Sequence, residues 1–384
     1  AVRAAVGWEV VATHCSYPTP STVFFDCANP TSNDFDVHSF GPNVIVHCAA
    51  LTNVDECEKS PEASRIQNVT ATQHVAALAK ACGAQLVFMS TDYVFDGAAG
   101  PYSEDAVPSP LSVYGQHKLD SEAIALAAST SIVLRITNVY GEEPRGKNFV
   151  ARIAANAQKS INGEPMTLKL PSDQIATPVD AADVRGQLPE SRVPSSVPLH
   201  PPTTTFCPVL TYPQSLLAQV AAVALMLVTD CKSGIYHVGG SEYVSRVQLA
   251  ATILSHVKGH NATIAPTPTS ALNQAAPRPL KGGLVSLRLQ AEYPLFTFRT
   301  AGSFLADAKK KAARQPKALP GMYAQYDKPG KHWYAPNKFE AYGEEEIAAV
   351  EECLRDGFLA PGPRTDQFAA SVASLFAKKC ALMV

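Results

Sequence analysis

Apolar residues follow two rhythms along this chain. Over residues 8–15, 43–50, 85–90 and 131–136 they run almost without interruption, and a shorter run at 23–25 ends at Asp26. Near-continuous apolar runs of this length are the pattern of strands buried in a parallel sheet. Between the runs the spacing lengthens. Ile66, Val69, Val75, Leu78 and Ala79 recur at helical intervals within 61–82, with Gly83 as a stop signal, and a second helix is expected over 110–128. Strand and helix in alternation predict a doubly wound parallel α/β sheet of Rossmann type with right-handed crossovers. After Tyr140-Gly141 the rhythm changes. A helix at 149–158, strands at 166–170 and 234–238, and a helix at about 247–257 predict a smaller α/β part.

Two segments break the pattern. Residues 185–213 are rich in Pro, Ser and Thr and carry neither period; they read as an insertion or linker, and a translated intron has the same character. Near Trp333 a third pattern begins. Gly343-Glu344-Glu345-Glu346 opens a helix whose acidic first turn suits the helix dipole, and 365–377 forms another with Phe368, Val372, Leu375 and Phe376 on one face. The expected divisions are a dinucleotide-binding domain at 1–145, a substrate-binding part at 146–305 containing the insertion, a linker at 306–332 and a helical fragment at 333–384.

Composition narrows the function classes. A chain of 384 residues with 46% hydrophobic and 17% charged residues is globular, and its length favours two or three domains. A formal charge of -2 without a basic run argues against a nucleic-acid partner. The nine cysteines include no Cys-x-x-Cys pair, so no metal site is expected; Cys48 and Cys82 read as buried reduced thiols of a cytoplasmic protein. The start is too short and polar-bounded for a signal peptide, and the apolar stretch 216–228 is too short to span a bilayer, so no membrane association is expected.

Two strings carry chemistry: Ser90-Thr91-Asp92-Tyr93-Val94-Phe95-Asp96-Gly97 ends a strand, and Tyr114-Gly115-Gln116-His117-Lys118 lies on a helix. At i and i+4, Tyr114 and Lys118 share a helix face. A free phenol has a pKa of about 10, and a nearby ammonium lowers it. Tyr114 is then a candidate proton donor to a carbonyl oxygen, with Thr91 bonding that oxygen and Lys118 holding a ribose hydroxyl. Alone, the Tyr-x-x-x-Lys spacing also fits an exposed helix.

Residues 43–183 resemble the extended short-chain dehydrogenase/reductase superfamily, and within it the dTDP-4-dehydrorhamnose reductase family, which includes the methionine adenosyltransferase β subunit. The likeness rests on His47-Cys48-Ala49-Ala50-Leu51-Thr52-Asn53-Val54-Asp55, on the two strings above, on Val133-Leu134-Arg135-Ile136-Thr137-Asn138-Val139-Tyr140-Gly141 and on Asp173-Gln174-Ile175-Ala176-Thr177-Pro178. Gly234-Ile235-Tyr236-His237-Val238-Gly239-Gly240 extends it, so that it spans about 8–305. The resemblance implies Thr91, Tyr114 and Lys118 as a catalytic trio acting with NADPH or NADH on the 4-keto group of a nucleotide-sugar. It implies that Asp26, Ala49, Ala50 and Thr52 line the cofactor, with Tyr114 and Lys118, and that Asp92, Tyr93, Asn148 and Phe149 face the substrate. For Ala49 and Ala50, close packing of strand on helix explains the residues equally well; for Asp26, a turn cap does. The resemblance also leaves room for a non-catalytic regulatory subunit working on a partner enzyme, or for a homodimer.

The departures matter as much. The family's Gly-rich fingerprint, which sets a pyrophosphate on a helix N-terminus, is absent, and residues 1–7 read as the tail of the helix that would follow it. A sheet lacking its first strand and a weakened dinucleotide site are therefore expected. No arginine soon after Ala12 marks a preference for a 2′-phosphate. Residues 333–384 resemble the N-terminal stretch of the DegT/DnrJ/EryC1 sugar aminotransferases through Asp356-Gly357-Phe358-Leu359-Ala360-Pro361-Gly362-Pro363 and its flanks. That family's pyridoxal-phosphate residues would lie beyond Val384, so no pyridoxal phosphate is expected on this chain. The implied whole is a reductase joined to an aminotransferase, or an inactive piece of one.

Overall fold

The computed structural model describes residues 9–29, 33–128, 130–141, 146–161, 163, 165–181 and 219–314. The chain divides into two compact units, Ala1–Ala306 and Asp307–Val384, and of the second only the helical residues 307–314 are described. The Pro-rich segment 185–213 and the aminotransferase-like stretch 333–384 lie outside the described residues.

In chain order, β1 (Ala12–His14) and β2 (Thr22–Phe24) pair in parallel with each other. After α1 (Val37–Phe40) and β3 (Val44–His47), Asn53 caps α2 (Val54–Lys59) by accepting from the Glu56 N–H at 3.3 Å. Then α3 (Pro61–Arg65) runs through a π-helical turn, Ile66–Thr70, into α4 (Ala71–Cys82). Gly83 ends that helix at φ 66°, a left-handed conformation that glycine adopts at little cost. Next come β4 (Gln85–Thr91), α5 (Val113–Ala128) and β5 (Ser131–Ile136). The later elements are α6 (Phe149–Ile161), β6 (Met166–Pro171), β7 (Ile175–Ala176), α7 (Gln219–Thr229), β8 (Gly234–Val238), β9 (Val244–Ser245), α8 (Arg246–Ser255), β10 (Ala262–Thr267), α9 (Leu287–Glu292) and α10 (Ala301–Arg314).

The main sheet runs β3-β4-β5-β8, every neighbouring pair parallel, as the apolar runs predict. Alternate residues of β4 serve opposite faces. Leu86 and Phe88 meet Val75, Ala76 and Ala79 of α4 and Ala125 of α5, while Val87 joins Ile132, Leu134, Tyr236 and the α7 residues Val223 and Leu227. A separate core unites α6, α8, β6 and β10 through Ile153, Ala157, Leu168, Leu170, Leu249 and Ile253. Each buried Val, Leu, Ile and Phe among them contributes about 1.5–3 kcal/mol by leaving water, and each alanine less.

Several expectations are corrected. The run at 43–50 forms a strand only over Val44–His47 and is an edge of the sheet, not a strand buried on both faces. One face meets α4, whereas Val46 on the other is 48% exposed, and Cys48 is exposed rather than buried. Helix α5 starts at Val113, later than its apolar pattern, because Ser112 takes the start: its Oγ accepts from the Gly115 N–H at 3.2 Å. Strand β10 escapes the apolar pattern because it pairs only with β6 and carries Pro266, a residue suited to an edge.

Candidate functional site

Strand β4 delivers Thr91 to the carboxyl end of the main sheet, where the chain turns sharply through a 3₁₀ turn, Asp92–Val94. Thr91 Oγ1 accepts from the Tyr93 N–H at 3.2 Å and so caps the turn. The start of α5 packs directly on this turn. A Cβ on Gly115 would lie 2.2 Å from the Tyr93 carbonyl oxygen, so only glycine permits the approach. The result sets the rings of Tyr93 and Tyr114 edge to face with centroids 5.8 Å apart.

Tyr114 and Lys118 are both buried, which removes the exposed-helix reading. Tyr114 packs on the turn that follows Thr91, its ring against Tyr93. Burial pushes the phenol's pKa up and outweighs the opposing influence of the Thr91 hydroxyl. Lys118 Nζ donates to the Met89 carbonyl at 2.6 Å and lies 4.0 Å from the centroid of the Phe88 ring. Burial brings its pKa down to about 8, against the opposing charge of Glu122. The expected lowering of the phenol by the ammonium is therefore not what the fold delivers: Lys118 is turned onto β4, and burial dominates Tyr114.

Asp92 is buried between segments rather than open to a ligand along its length. Its Oδ2 accepts from Thr137 Oγ1 at 2.6 Å and from the Gly283 N–H at 3.2 Å, and Thr91 Oγ1 donates to its Oδ1 at 3.3 Å. Burial raises its pKa, opposed by these donors. Asp92 and Tyr93 also border a cavity with Asn138, Ala176, Arg246 and Gly282. Phe149 reaches this region beneath the Arg246 guanidinium, 4.8 Å away. Asn148 does not line the cavity: its Oδ1 accepts from the Ala151 N–H at 2.9 Å and its Nδ2 donates to the Gly141 carbonyl at 3.0 Å, which fastens the start of α6.

A second cleft lies beyond the carboxyl ends of β1, β2 and β3, lined by His14, Asp26, Ala28, Ala49, Gln67 and Ala71 among others. Open parallel sheets bind ligands at such strand ends. Asp26 lines this cleft and also caps its own turn, accepting from the Ala28 N–H at 2.8 Å. Ala49 and Thr52 are exposed and Ala50 is half-buried, so packing against a helix does not account for Ala49.

Three residues were not legible as site residues. Asn68, in the π turn, grips the 48–52 loop: the Leu51 N–H donates to its Oδ1 at 2.8 Å and its Nδ2 donates to the Leu51 carbonyl at 3.2 Å. Its own carbonyl accepts from Thr72 Oγ1 at 2.6 Å and from Ser121 Oγ at 3.2 Å. A π turn breaks the regular hydrogen-bond ladder, and that irregularity is often found beside functional sites. Arg246 donates to Asn138 Oδ1 at 2.5 Å, with Arg152 and Arg278 close enough to act on its charge. Asn138 itself sits at φ 43°, a conformation rare outside glycine. The sequence signal for it was an Asn inside the quoted Thr137–Gly141 string; Arg246 left none. Among the described residues, no cluster of three or more His, Cys, Asp or Glu could hold a metal, and no helix is long and apolar enough to cross a membrane.

Comparison with known proteins agrees with this architecture. The family model described as "RmlD substrate binding domain" matches residues 2–189 and 208–308. Methionine adenosyltransferase 2 subunit beta of Rattus norvegicus is 38% identical over 162 residues, covering 41% of this chain and 47% of that protein. The dTDP-4-dehydrorhamnose reductase of Sinorhizobium fredii is 36% identical over 162 residues, covering 42% and 52%. The chain thus spans about half the length of the curated relatives it matches. Among solved structures, the dTDP-4-dehydrorhamnose reductase of Clostridium acetobutylicum superposes with a TM-score of 0.58 at 24% identity, over 75% of this chain and 87% of that one. A Bacillus anthracis reductase of the same name, in complex with NADP, gives 0.58 at 23%, over 74% and 86%. These likenesses establish the fold as the parallel Rossmann-like α/β fold of such reductases.

Proposed function

The chain belongs to the RmlD substrate-binding-domain family, and from that premise we propose that it reduces the 4-keto group of a nucleotide-sugar. The observation that carries this reading is Thr91 buried at a parallel-strand end, with Tyr114 buried against the turn that follows it and Lys118 buried one helical turn along.

A nicotinamide dinucleotide would supply the hydride. Asp26 and Ala49 line the cleft that suits its adenosine end, Ala50 and Thr52 continue along the strand end, and Lys118 with Tyr114 stands at the nicotinamide end. The residues fit at both ends of the path; the sequence contains no Gly-x-Gly-x-x-Gly string to cradle the pyrophosphate between them. Tyr114, with its raised pKa, is fully protonated at neutral pH and would give its proton to the sugar's carbonyl oxygen. Thr91 would orient that oxygen and stabilise the phenolate left behind. Lys118, still largely charged at pH 7, would add its field. Arg246 and Arg278 act on Tyr93, with Arg152 close to Arg246, and this positive charge supports a substrate that carries negative charge, although Arg278 is already paired with Asp55 at 2.8 Å.

The test is oxidation of NADH or NADPH by the protein with a 4-keto-6-deoxy sugar nucleotide. Tyr114→Phe is expected to reduce kcat/KM by about 10²–10⁴-fold. No turnover in the parent protein, or an undiminished rate in Tyr114→Phe, overturns the reading. The methionine adenosyltransferase β-subunit relatives favour a second reading, a non-catalytic partner subunit. Capture of a methionine adenosyltransferase catalytic subunit without reductase turnover would select it.

A further inference from the structure

We propose that Glu122 is a positioning residue for Lys118: a buried carboxylate one helical turn along α5 that fixes the ammonium's charge and the end of β4. This rests on the reductase reading for its functional meaning, but not for its physical test.

Lys118 is 3% exposed, and its ammonium has one recorded hydrogen bond, to the neutral Met89 carbonyl. A charge buried among neutral groups is costly unless an opposite charge lies near. From β3 it faces His47, kept neutral with its pKa brought down to about 4 by burial and by Lys118 itself; the Cys48 thiol just past the strand has its pKa raised and is uncharged at neutral pH. From β4 it faces the Phe88 ring. On its own helix, Tyr114 is neutral. Glu122, four residues along the same buried face of α5, is the carboxylate placed next to it by the helix register, at a distance that acts through charge rather than by a direct ion pair.

Glu122 is itself 2% exposed and cannot swing away. Arg135 of β5 donates to it from Nε at 3.0 Å and from a terminal nitrogen at 2.7 Å, and Ser90 Oγ, next to Thr91, donates to Oε1. This fork-on-carboxylate geometry is the strong, directional form of the ion pair. Arg135 is braced in turn: it donates to His237 Nε2 at 3.3 Å, and His237 Nδ1 meets the Tyr102 carbonyl at 3.0 Å. An arginine cannot accept and a carbonyl cannot donate, so His237 is held as the neutral tautomer with its proton on Nδ1. One carboxylate, paired with Arg135 and set one helical turn from the buried Lys118, thus ties α5 to β4, β5 and, through Arg135 and His237, β8.

A carboxylate present only to satisfy Arg135 would be dispensable once Arg135 is gone. The discriminating protein is therefore the full chain carrying Glu122→Gln with Arg135→Met, which removes both charges, keeps an acceptor for Ser90, and leaves the fold without an orphaned ion. Lysine labelled with ¹³C at Cε reports protonation by NMR, and the Lys118 signal is the one lost in Lys118→Arg. We expect Lys118 in the double variant to lose its proton at least about one pH unit lower than in the parent, about a tenfold loss of proton affinity. Glu122→Asp, which keeps the charge, should titrate close to the parent. A Lys118 titration in the double variant within about 0.3 unit of the parent overturns the proposal. Where turnover is measurable, the alkaline limb of the kcat/KM profile should move with the NMR titration. Absence of turnover would count against the reductase reading, while the titration would still decide the role of Glu122.

Discussion

Helices α4 and α5 lie side by side against the same face of the main sheet, yet they bury opposite kinds of surface. The inward face of α4 is Ala71, Val75, Ala76 and Ala79, with Thr72 its one buried polar residue, bonded to the Asn68 carbonyl. That of α5 is Tyr114, His117, Lys118, Ser121 and Glu122, with Gly115 and Ala125. The apolar face needs nothing beyond fit, and close packing alone stabilises it. The polar face must be satisfied atom by atom, and it is: Lys118 by Met89, Ser121 by the His117 and Asn68 carbonyls, Glu122 by Arg135 and Ser90, His117 Nδ1 by Ser64 Oγ at 2.9 Å. A fold has cheaper ways to stabilise a helix. Two neighbouring helices in one core thus separate what holds the sheet together from what the sheet was built to present.

The largest way to break this contrast is to unpair the polar face. Glu122→Ala alone strands a buried Arg135 and should cost about 3–5 kcal/mol in urea unfolding, far more than the same truncation on a surface helix. Acid should act next. His237 and His47 both have pKa values brought down to about 4, first by burial and then by Arg135 and Lys118 respectively. The unfolded chain therefore binds protons that the folded one refuses. Stability from these histidines should be fully present above about pH 6.5 and fall as pH drops toward about 4, by on the order of 1.4 kcal/mol per unit for each. An acid titration of unfolding free energy that is flat over this window in the parent, or unchanged by His237→Asn, would contradict it.

A smaller effect, but one focused on the site, is expected of Gly115→Ala. Its Cβ must displace the Tyr93 carbonyl, so a destabilisation of about 1–3 kcal/mol should accompany a loss of turnover larger than stability explains. The smallest change should come from α4, where the volume-conserving Leu78→Met ought to stay within about 1.5 kcal/mol and leave catalysis and the Lys118 titration untouched.

The same contrast explains what could be read from the amino acids. Strands β5 and β8 begin and end where their apolar runs do, because burial on both faces leaves little room for a different register. Tyr114 and Lys118 were legible as a pair because their spacing is local to one helix, and Thr91 because it ends an apolar run; the fold buries all three. The 43–50 run misled because its residues suit a central strand while the described fold leaves one face of β3 open, exposing Val46 and Cys48. Asn148 was read as facing a ligand and instead fastens a helix. Glu122, Arg135, Asn68 and Arg246 were silent because each draws its meaning from a partner on another element. Lys118 misled in a subtler way: its spacing from Tyr114 is right, but the ammonium's direction depends on the Met89 carbonyl, which no pattern of residues reveals.

The π turn at Ile66–Thr70 makes the site sensitive to length rather than to chemistry. It holds one residue more than a regular helix would, and every α-helical residue turns the chain by about 100°. Deleting the exposed Ile66 would straighten the helix and rotate its first turns by that angle relative to α4. Ser64 would then leave His117, and the grip on the loop beside the dinucleotide cleft would fail without the loss of any functional side chain. A neighbour that tolerated many substitutions in this stretch should still tolerate no change in its count.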